Sequence, residues 1–158
     1  TVIDQESMNR LITSGLKSVT GCEVVKSNIA NAPIPPYPYI SFTIIRTETG
    51  KGTYSDANGT RYIPLHQTWS FTIQGNKDND AQHIALLAKD WLEEAGRIDL
   101  NDGGVVVQSV GDISNRDTLL TVGYEFRKGF DVVFSLMNEI QGTASETIDT
   151  IELTRSDE

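Results

Sequence analysis

Two stretches of the chain, residues 4–20 and 79–95, carry apolar residues at helical spacing. The apolar stripe of the first stretch consists of Met8, Leu11, Ile12, Leu16 and Val19. Asp4 stands where an N-cap is needed, and Gly21 follows the stripe as a typical helix stop. The pattern therefore predicts an amphipathic helix over residues 4–20.

The second stretch has the longer and clearer stripe. Its apolar positions are Ile84, Leu87, Ala88, Trp91, Leu92 and Ala95. Asn79 or Asp80 can cap this helix, and Gln82 can complete a start that resembles a capping box. Gly96 is the expected end of the helix.

Strict alternation of apolar and polar residues predicts two strands, at residues 39–49 and 67–76. The inward positions are Ile40, Phe42 and Ile44 in the first strand and Trp69, Phe71 and Ile73 in the second. The residues between them are rich in Gly, Asn, Asp and Thr, and they predict an antiparallel hairpin with a long, mobile excursion over 47–66.

The third apolar region follows the second helix. Residues 105–110 predict a short strand, 113–118 a connection, and 119–136 one long strand or two collinear ones. Its apolar even positions are Tyr124, Phe126, Phe130, Val132 and Phe134. The letters RKG at 127–129 interrupt this alternation, and we interpret them as a bend or bulge for which Gly129 supplies the backbone freedom.

The remaining segments complete the predicted architecture. Residues 23–28 either form a strand or lead into a proline-rich stretch, 31–38, which we expect to be an extended arm. The element order predicts an α+β fold, a mainly antiparallel sheet with a long hairpin, packed on one face by two helices. We expect one domain over 1–140 and an acidic extension over 141–158 that is ordered only in an assembly.

Charge narrows the range of functions. Asp and Glu outnumber Lys and Arg by 22 to 13, which leaves a net charge of −9. Sequence-independent binding to a phosphate backbone requires clustered cations, so the composition argues against it. No stretch approaches the roughly 20 apolar residues of a membrane span, and we expect no membrane partner.

Candidate chemical sites are weak wherever they can be tested. Cys22 is the only cysteine, and His66 and His83 lack a partner at metal-ligand spacing. A calcium-loop pattern begins at Asn76, Asp78 and Asp80, but Ala81 and Leu87 occupy the positions that require Gly and Glu. We therefore expect no catalytic, cofactor or metal site and no enzymatic activity.

Three stretches in this order resemble the neck or tail terminator proteins of long-tailed bacteriophages. They are PYPYISF at 36–42, ISNRDTLLTVGYEFRKGFDV at 113–132 and IDTIEL at 148–153. The signal lies in their order and spacing, and the resemblance covers roughly residues 5–153 of the chain.

The resemblance implies a structural virion protein in the tail or neck, assembled in the host cytoplasm. Such subunits form a ring, typically a hexamer, that caps the tail tube, stops its polymerisation and meets the head-completion or connector protein. DNA passes through the bore, and a negative lining would avoid trapping it.

Interface candidates follow from this interpretation. They are Pro35, Pro36, Tyr37, Pro38, Lys51, Tyr54, Arg61, Arg116, Asp117, Arg127, Lys128, Gly129, Ile151 and Glu152. We expect Arg127 and Lys128 to be free to meet acidic residues of a neighbouring subunit. The alternative is a solvent-exposed kink that carries two surface cations.

Two other functions stay open. Another ring component of the virion, a tail tube or head-completion protein, fits the long hairpin as well. A small ligand-binding or enzymatic α+β domain is the alternative from another class.

Overall fold

The computed structural model describes residues 4–27, 33–50, 55–57, 59–120 and 123–141 of the 158-residue chain. The helices are α1 (Gln5–Thr20), α2 (Asp78–Glu93) and α3 (Ala95–Asp102). The strands are β1 (Val24–Lys26), β2 (Tyr39–Gly50), β3 (Ser55–Ala57), β4 (Thr60–Gly75), β5 (Val106–Val110), β6 (Ser114–Asn115), β7 (Thr118–Leu120) and β8 (Gly123–Gln141). None of the helices among these residues is long and apolar enough to cross a membrane.

The first helix has the predicted caps. The Asp4 carboxylate accepts a hydrogen bond from the Ser7 amide at 2.7 Å, which satisfies one of the free donors at the helix start. Gly21 ends α1 in the left-handed region, at φ 73°, where a residue without Cβ is favoured. Met8, Ile12 and Leu16 are fully buried, as their spacing predicts, and Leu11 is partly buried against them, but Val19 at the end of the predicted stripe is exposed.

The second helical region differs from the prediction at both ends. The N-cap is Lys77, without a side-chain cap bond, so Asn79 and Asp80 lie inside α2 rather than capping it. Gly96 does not end the helix either, because it belongs to α3, which follows α2 after a break at Glu94. A Cβ on Gly96 would lie 2.4 Å from the Trp91 ring, so close packing requires glycine there.

The sheet is mostly antiparallel, and the fold is the predicted α+β class. Its strands run in the order β1-β2-β4-β8-β5, with β3 added to β4 and with β6 and β7 paired to β8. Only β1 and β2 run parallel among the described strands. Of the two alternatives for residues 23–28, the structure has the strand, at Val24–Lys26, and the strand predicted at 105–110 is found at Val106–Val110.

The excursion expected over 47–66 is largely regular structure, so that prediction was wrong. Strand β2 continues to Gly50, β4 begins at Thr60, and β3 pairs with β4. Residues 51–54 and 58 lie outside the described residues. The content of Gly, Asn, Asp and Thr suggested a loop, but backbone pairing with β2 and β8 makes residues 60–66 a strand, in which Tyr62, Ile63 and Leu65 are apolar.

The bend or bulge expected at 127–129 is also absent. The pairing of β8 with β4 runs from Thr60↔Gln141 to Gly75↔Phe126 without a register shift. Residues 119–120 do not extend this strand, because β7 runs antiparallel to β8. The connection predicted at 113–118 contains β6 and the first residue of β7.

All three described helices contribute to one core on a single face of the sheet, rather than the two predicted. Phe42 stacks on Trp69 with ring centroids 4.9 Å apart, and Phe134 meets Trp69 edge-on at 5.4 Å. The fully buried large side chains include Trp69, Phe71, Ile73, Phe130, Val105, Leu92 and Leu100. The other face of β4 presents Ser70, Thr72 and Gln74, and we call it the helix-free face.

Candidate functional site

Arg116 crosses the helix-free face from the end of β6. Its Nη1 donates hydrogen bonds to Ser70 Oγ at 2.9 Å, to Thr72 Oγ1 at 3.0 Å and to the Phe71 carbonyl oxygen at 3.3 Å. Its Nη2 forms an ion pair with Asp131 at 3.3 Å. The guanidinium therefore joins β4, β8 and the 113–118 connection through donors that only Arg presents in one plane.

Gly129 makes room for this guanidinium. A Cβ at position 129 would lie 2.5 Å from Arg116 Nη1 and 2.6 Å from the Phe71 carbonyl oxygen, and such close approaches do not occur in real structures. The glycine that was predicted to allow a bend or bulge thus serves close packing within a continuous strand.

Lys128 lies on the helix side of β8 and is only 5% exposed. Its ammonium forms ion pairs at 2.9 Å with Asp117 and at 2.9 Å with Asp78, the first residue of α2. The expectation that this cation is free for a neighbouring subunit was therefore wrong. It holds α2, β8 and the 113–118 connection together instead.

The protonation of this pair follows from competing effects. Burial alone would raise the pKa of Asp117, but hydrogen bonds from the Lys128 ammonium and the Arg127 amide outweigh it, so the pKa is lowered. Burial alone would lower the pKa of Lys128, but its hydrogen bonds to Asp117 and Asp78 raise it. Both groups are therefore charged near neutral pH.

Arg127 is also paired within the chain. Its Nε donates to the carboxylate of Glu125, which is 4% exposed and also accepts a hydrogen bond from the Tyr37 hydroxyl. That hydrogen bond raises the pKa of Tyr37 to about 12. Burial, with the nearby Glu125 charge, raises the pKa of Tyr39, whose ring stacks on Tyr37 at 5.8 Å.

The described part of the proline-rich arm, residues 33–38, contains neither helix nor strand. Tyr37 attaches it to the chain's own sheet through Glu125. Between the arm, β1 and the helix-free face lies an open groove of about 450 Å³. Its lining includes Lys26, Pro33, Ile34, Pro35, Tyr39, Ser41, Thr72, Gln74, Arg116 and Arg127.

Most of the predicted interface residues meet in this region. Pro35, Tyr37, Arg116, Asp117, Arg127, Lys128 and Gly129 belong to the groove or to its ion-pair network, with Pro36 and Pro38 beside Tyr37. Arg61 lies at the far end of β4, paired with Ile140. Lys51, Tyr54, Ile151 and Glu152 lie outside the described residues.

Sequence interpretation missed several members of this site. Glu125 looked like an ordinary outward residue of an alternating strand, and Gln74 like a polar position on a solvated face. Both are buried, because the arm and neighbouring strands cover them. The proline-rich arm was the one available signal that something covers this face.

An exposed apolar patch lies beside the network. Leu119 on β7 is 77% exposed, and its partner Tyr124 on β8 is 51% exposed. The alternation along β8 predicted that Tyr124 is buried with the other apolar even positions, and that prediction was wrong. Tyr124 still contacts Phe126 edge-on at 5.0 Å. Leu120 adds to the patch.

The side chains that could serve as a nucleophile or as metal ligands do not form such a site among the described residues. Cys22 is buried, and burial raises the pKa of its thiol. Within the described ranges, no three His, Cys, Asp or Glu side chains come together as a metal-binding set.

The sequence of the chain matches a known protein family over almost its whole length. The family model described as phage neck terminator protein matches residues 10–157. The chain belongs to this family. Phage neck terminators are structural proteins of the virion that contact other virion components, so the resemblance inferred from the sequence motifs is confirmed. No curated protein sequence matches the chain.

Proposed function

We propose that this neck terminator is the subunit of a closed ring, a hexamer, that caps the tail tube and stops its polymerisation. The ring forms the surface that joins the tail to the head-completion or connector protein. It assembles in the host cytoplasm, and DNA passes through its bore. The family match over residues 10–157 carries this proposal.

Open strand edges support assembly through the sheet. Strand β1 covers β2 only from Ile40 to Phe42, so the rest of β2 to Gly50 has no partner on that side among the described residues. An edge of this length can pair with a strand from another chain. The proposed ring therefore has a place where neighbouring sheets can continue.

The far end of β8 supports a contact beyond the ring. The core ends at Phe134, and β8 then continues to Gln141 while it is paired with β4. A ribbon that extends past its own core can reach a second protein. We assign Lys51, Tyr54 and Arg61, which stand on or near this ribbon in sequence, to contact with the tail tube or connector.

The ion-pair network supports a scaffold role for the other candidates. Arg116, Asp117, Arg127, Lys128 and Gly129 hold the 113–118 connection and β7 against β8. Rigid support of this kind presents the exposed side chains of Leu119 and Tyr124 to a partner. These five residues thus support the exposed surface of Leu119 and Tyr124 from within the chain.

Charge and domain organisation fit the same proposal. A net charge of −9 disfavours retention of DNA in the bore. Residues 1–140 form the domain, and 141–158, with Ile151 and Glu152, form an extension that is ordered in the assembly.

The mass of the purified protein in solution, measured by light scattering after size separation at several concentrations, tests the proposal. We expect one species near six subunits and nothing larger. Continuous growth into filaments would instead identify a tube protein. Subunits that stay monomeric at every concentration, and that do not stop the growth of tail tubes when mixed with them, would contradict the proposal.

A further inference from the structure

The groove on the helix-free face is built to receive an acceptor-rich ligand. Lys26, Arg116 and Arg127 line it, and no Asp or Glu does so among the described residues. Arg116 is paired with Asp131 and Arg127 with Glu125, so Lys26 is the lining cation that has no ion pair in the described part of the chain. The chain as a whole carries 22 acidic and 13 basic residues, so a groove lined by basic side chains and by no acidic one differs from the average composition of the chain. An acidic ligand therefore fits this groove by charge.

The side chain of Gln74 provides a second, independent observation that points to a ligand in the groove. The side chain is 8% exposed, and its Nε2 donates to Ser41 Oγ at 2.8 Å. Its Oε1 is buried and has no hydrogen-bond partner among the described residues. A buried acceptor left unpaired destabilises the fold, and a ligand that donates an N–H, such as a peptide backbone, would satisfy it.

The groove also has an apolar wall. Ile34 lines it with a side chain that is 78% exposed, next to Pro33 and Pro35. Cations, an unpaired acceptor and an apolar wall together fit an extended peptide that carries both carboxylates and aliphatic side chains.

The chain itself contains such a peptide at residues 142–158. This segment has five acidic residues and one basic residue, and its aliphatic residues are interleaved with the acidic ones in IDTIEL. The family match continues through residue 157, so the segment is part of the family pattern. We propose that residues 142–158 of a second copy of the chain bind in the groove.

Geometry favours a second copy over the chain's own segment. Gln141 and Arg127 stand fourteen positions apart on β8, which corresponds to roughly 46 Å along the strand. Asp149 follows Gln141 by eight residues, which span about 29 Å at most when fully extended. Glu152 follows Gln141 by eleven residues, which span about 40 Å at most, so the chain's own carboxylates from Glu146 to Glu152 fall short of Arg127. Of the acidic residues in the chain's own segment, only Asp157 and Glu158 can span the distance. A neighbour in the proposed ring is not bound by this limit, so the acidic residues of its IDTIEL stretch can bind there.

Zero-length cross-linking tests this inference, which rests on the homo-oligomer of the proposed function. Chains labelled with ¹⁵N and unlabelled chains are mixed in equal amounts while dissociated, allowed to assemble, and treated with a carbodiimide that joins amines to carboxylates in contact. Mass spectrometry identifies the linked peptides, and light scattering on the same sample gives the assembled mass.

We expect Lys26 to be linked to a carboxylate within 142–158, with about half of these products joining one labelled and one unlabelled chain. The ion pair between Lys17 and Glu23, at 2.8 Å and exposed, is the internal positive control. Lys77, exposed at the start of α2, is the control for unspecific linkage.

The outcomes separate this inference from the proposed ring. An assembled ring in which Lys17 links to Glu23 but Lys26 does not link to the segment overturns the inference alone. Products that join Lys26 to the segment only within single chains overturn the second-copy assignment. Equal linkage of the segment to Lys77 and Lys26 overturns specific binding in the groove. Chains that neither assemble nor form mixed products overturn the inference and the ring together.

Discussion

The Arg116 guanidinium lies over Gly129, where a Cβ would stand 2.5 Å from Nη1 and 2.6 Å from the carbonyl oxygen of Phe71. Four hydrogen bonds from Arg116 depend on this approach. Because Gly129 has no side chain, the Arg116 guanidinium can approach the sheet closely enough to form these hydrogen bonds.

The substitution Gly129→Ala tests that relationship. Alanine in a strand is normally more stable than glycine by about 0.5–1 kcal/mol, but overpacking against a fixed carbonyl oxygen destabilises by about 1–3 kcal/mol. We expect a net loss of about 1–2 kcal/mol in the free energy of unfolding, measured by urea denaturation. The control is Gly75→Ala on β4, whose nearest atom would lie 3.4 Å away, and which we expect to be neutral or slightly stabilising. Wild-type stability of Gly129→Ala would contradict the packing argument.

Substitution of Gly15 in α1 distinguishes the effect of helix propensity from the effect of side-chain packing on stability. A Cβ on Gly15 of α1 would lie 2.2 Å from the Trp91 ring of α2. Helix propensity alone predicts that Gly15→Ala stabilises the protein by about 1 kcal/mol, whereas the clash predicts a loss of about 1–3 kcal/mol. We expect the loss, seen as a lower thermal midpoint. If Gly15→Ala raised the midpoint, Trp91 would not pack between these helices as described.

How well the sequence predicts a feature of this fold depends on how far apart in sequence the interacting residues are. Caps and stripes arise within a few residues, so Asp4, Gly21 and the burial of Met8, Ile12 and Leu16 were predictable, although the same rules misplaced both ends of α2. The hydrogen bond between Tyr37 and Glu125 joins residues 88 positions apart, and local periodicity carries no information about it. Strand extension to Gly50 and from Thr60 was missed because the high content of Gly, Asn, Asp and Thr outweighed the apolar Tyr62, Ile63 and Leu65, and because the pairing with β8 joins residues far apart in sequence.

The candidate site shows the same limit. Proline density indicated the arm, and the letters RKG indicated a special place on β8. Whether Lys128 is exposed depends on Asp78 and Asp117, which stand far from it in sequence and meet it only in the folded sheet. Arg127 and Lys128 were therefore predicted to be free at the surface, although both form ion pairs within the chain.

The Lys128 ion pairs lead to a stability prediction. Lys128→Met leaves Asp117 largely buried without its ammonium partner, and removal of one member of a buried pair costs about 3–5 kcal/mol. We expect a loss near the lower end of that range, because Asp78 is partly exposed. Lys17→Met, which breaks the exposed pair with Glu23, is the control and should change stability by about 1 kcal/mol or less. Equal effects of the two substitutions would show that Lys128 is not buried in its pairs.

The lowered pKa of Asp117 predicts how stability changes in acid. A carboxyl group whose pKa is lower in the folded than in the unfolded state stabilises the fold above its unfolded value of about 3.9. That contribution is lost as the pH falls through the folded pKa, since the unfolded state then binds more protons. We expect Asp117→Asn to have a shallower decline of unfolding free energy below about pH 4 than the wild type. Parallel curves for the two proteins would exclude Asp117 from the acid response.

The raised pKa of Tyr37 predicts the opposite response in alkali. The hydrogen bond to Glu125 holds the phenol in its protonated form, with a pKa of about 12 against about 10 in the unfolded chain. Between these values the folded state binds more protons, so the free energy of unfolding falls as the pH rises.

We expect Tyr37→Phe to lose this part of the alkaline decline, measured by urea denaturation at several pH values between about 9 and 12. Tyr124→Phe is the matched control, because it removes an exposed phenol and keeps the contact between Tyr37 and Glu125. Lys128 and Tyr39 also have raised pKa values and contribute to the decline in all three proteins, so the difference between the two variants reports the Tyr37 phenol. Identical slopes in Tyr37→Phe and wild type would mean that the arm is not attached to β8 through this hydrogen bond, and the wall of the groove would then lack its anchor.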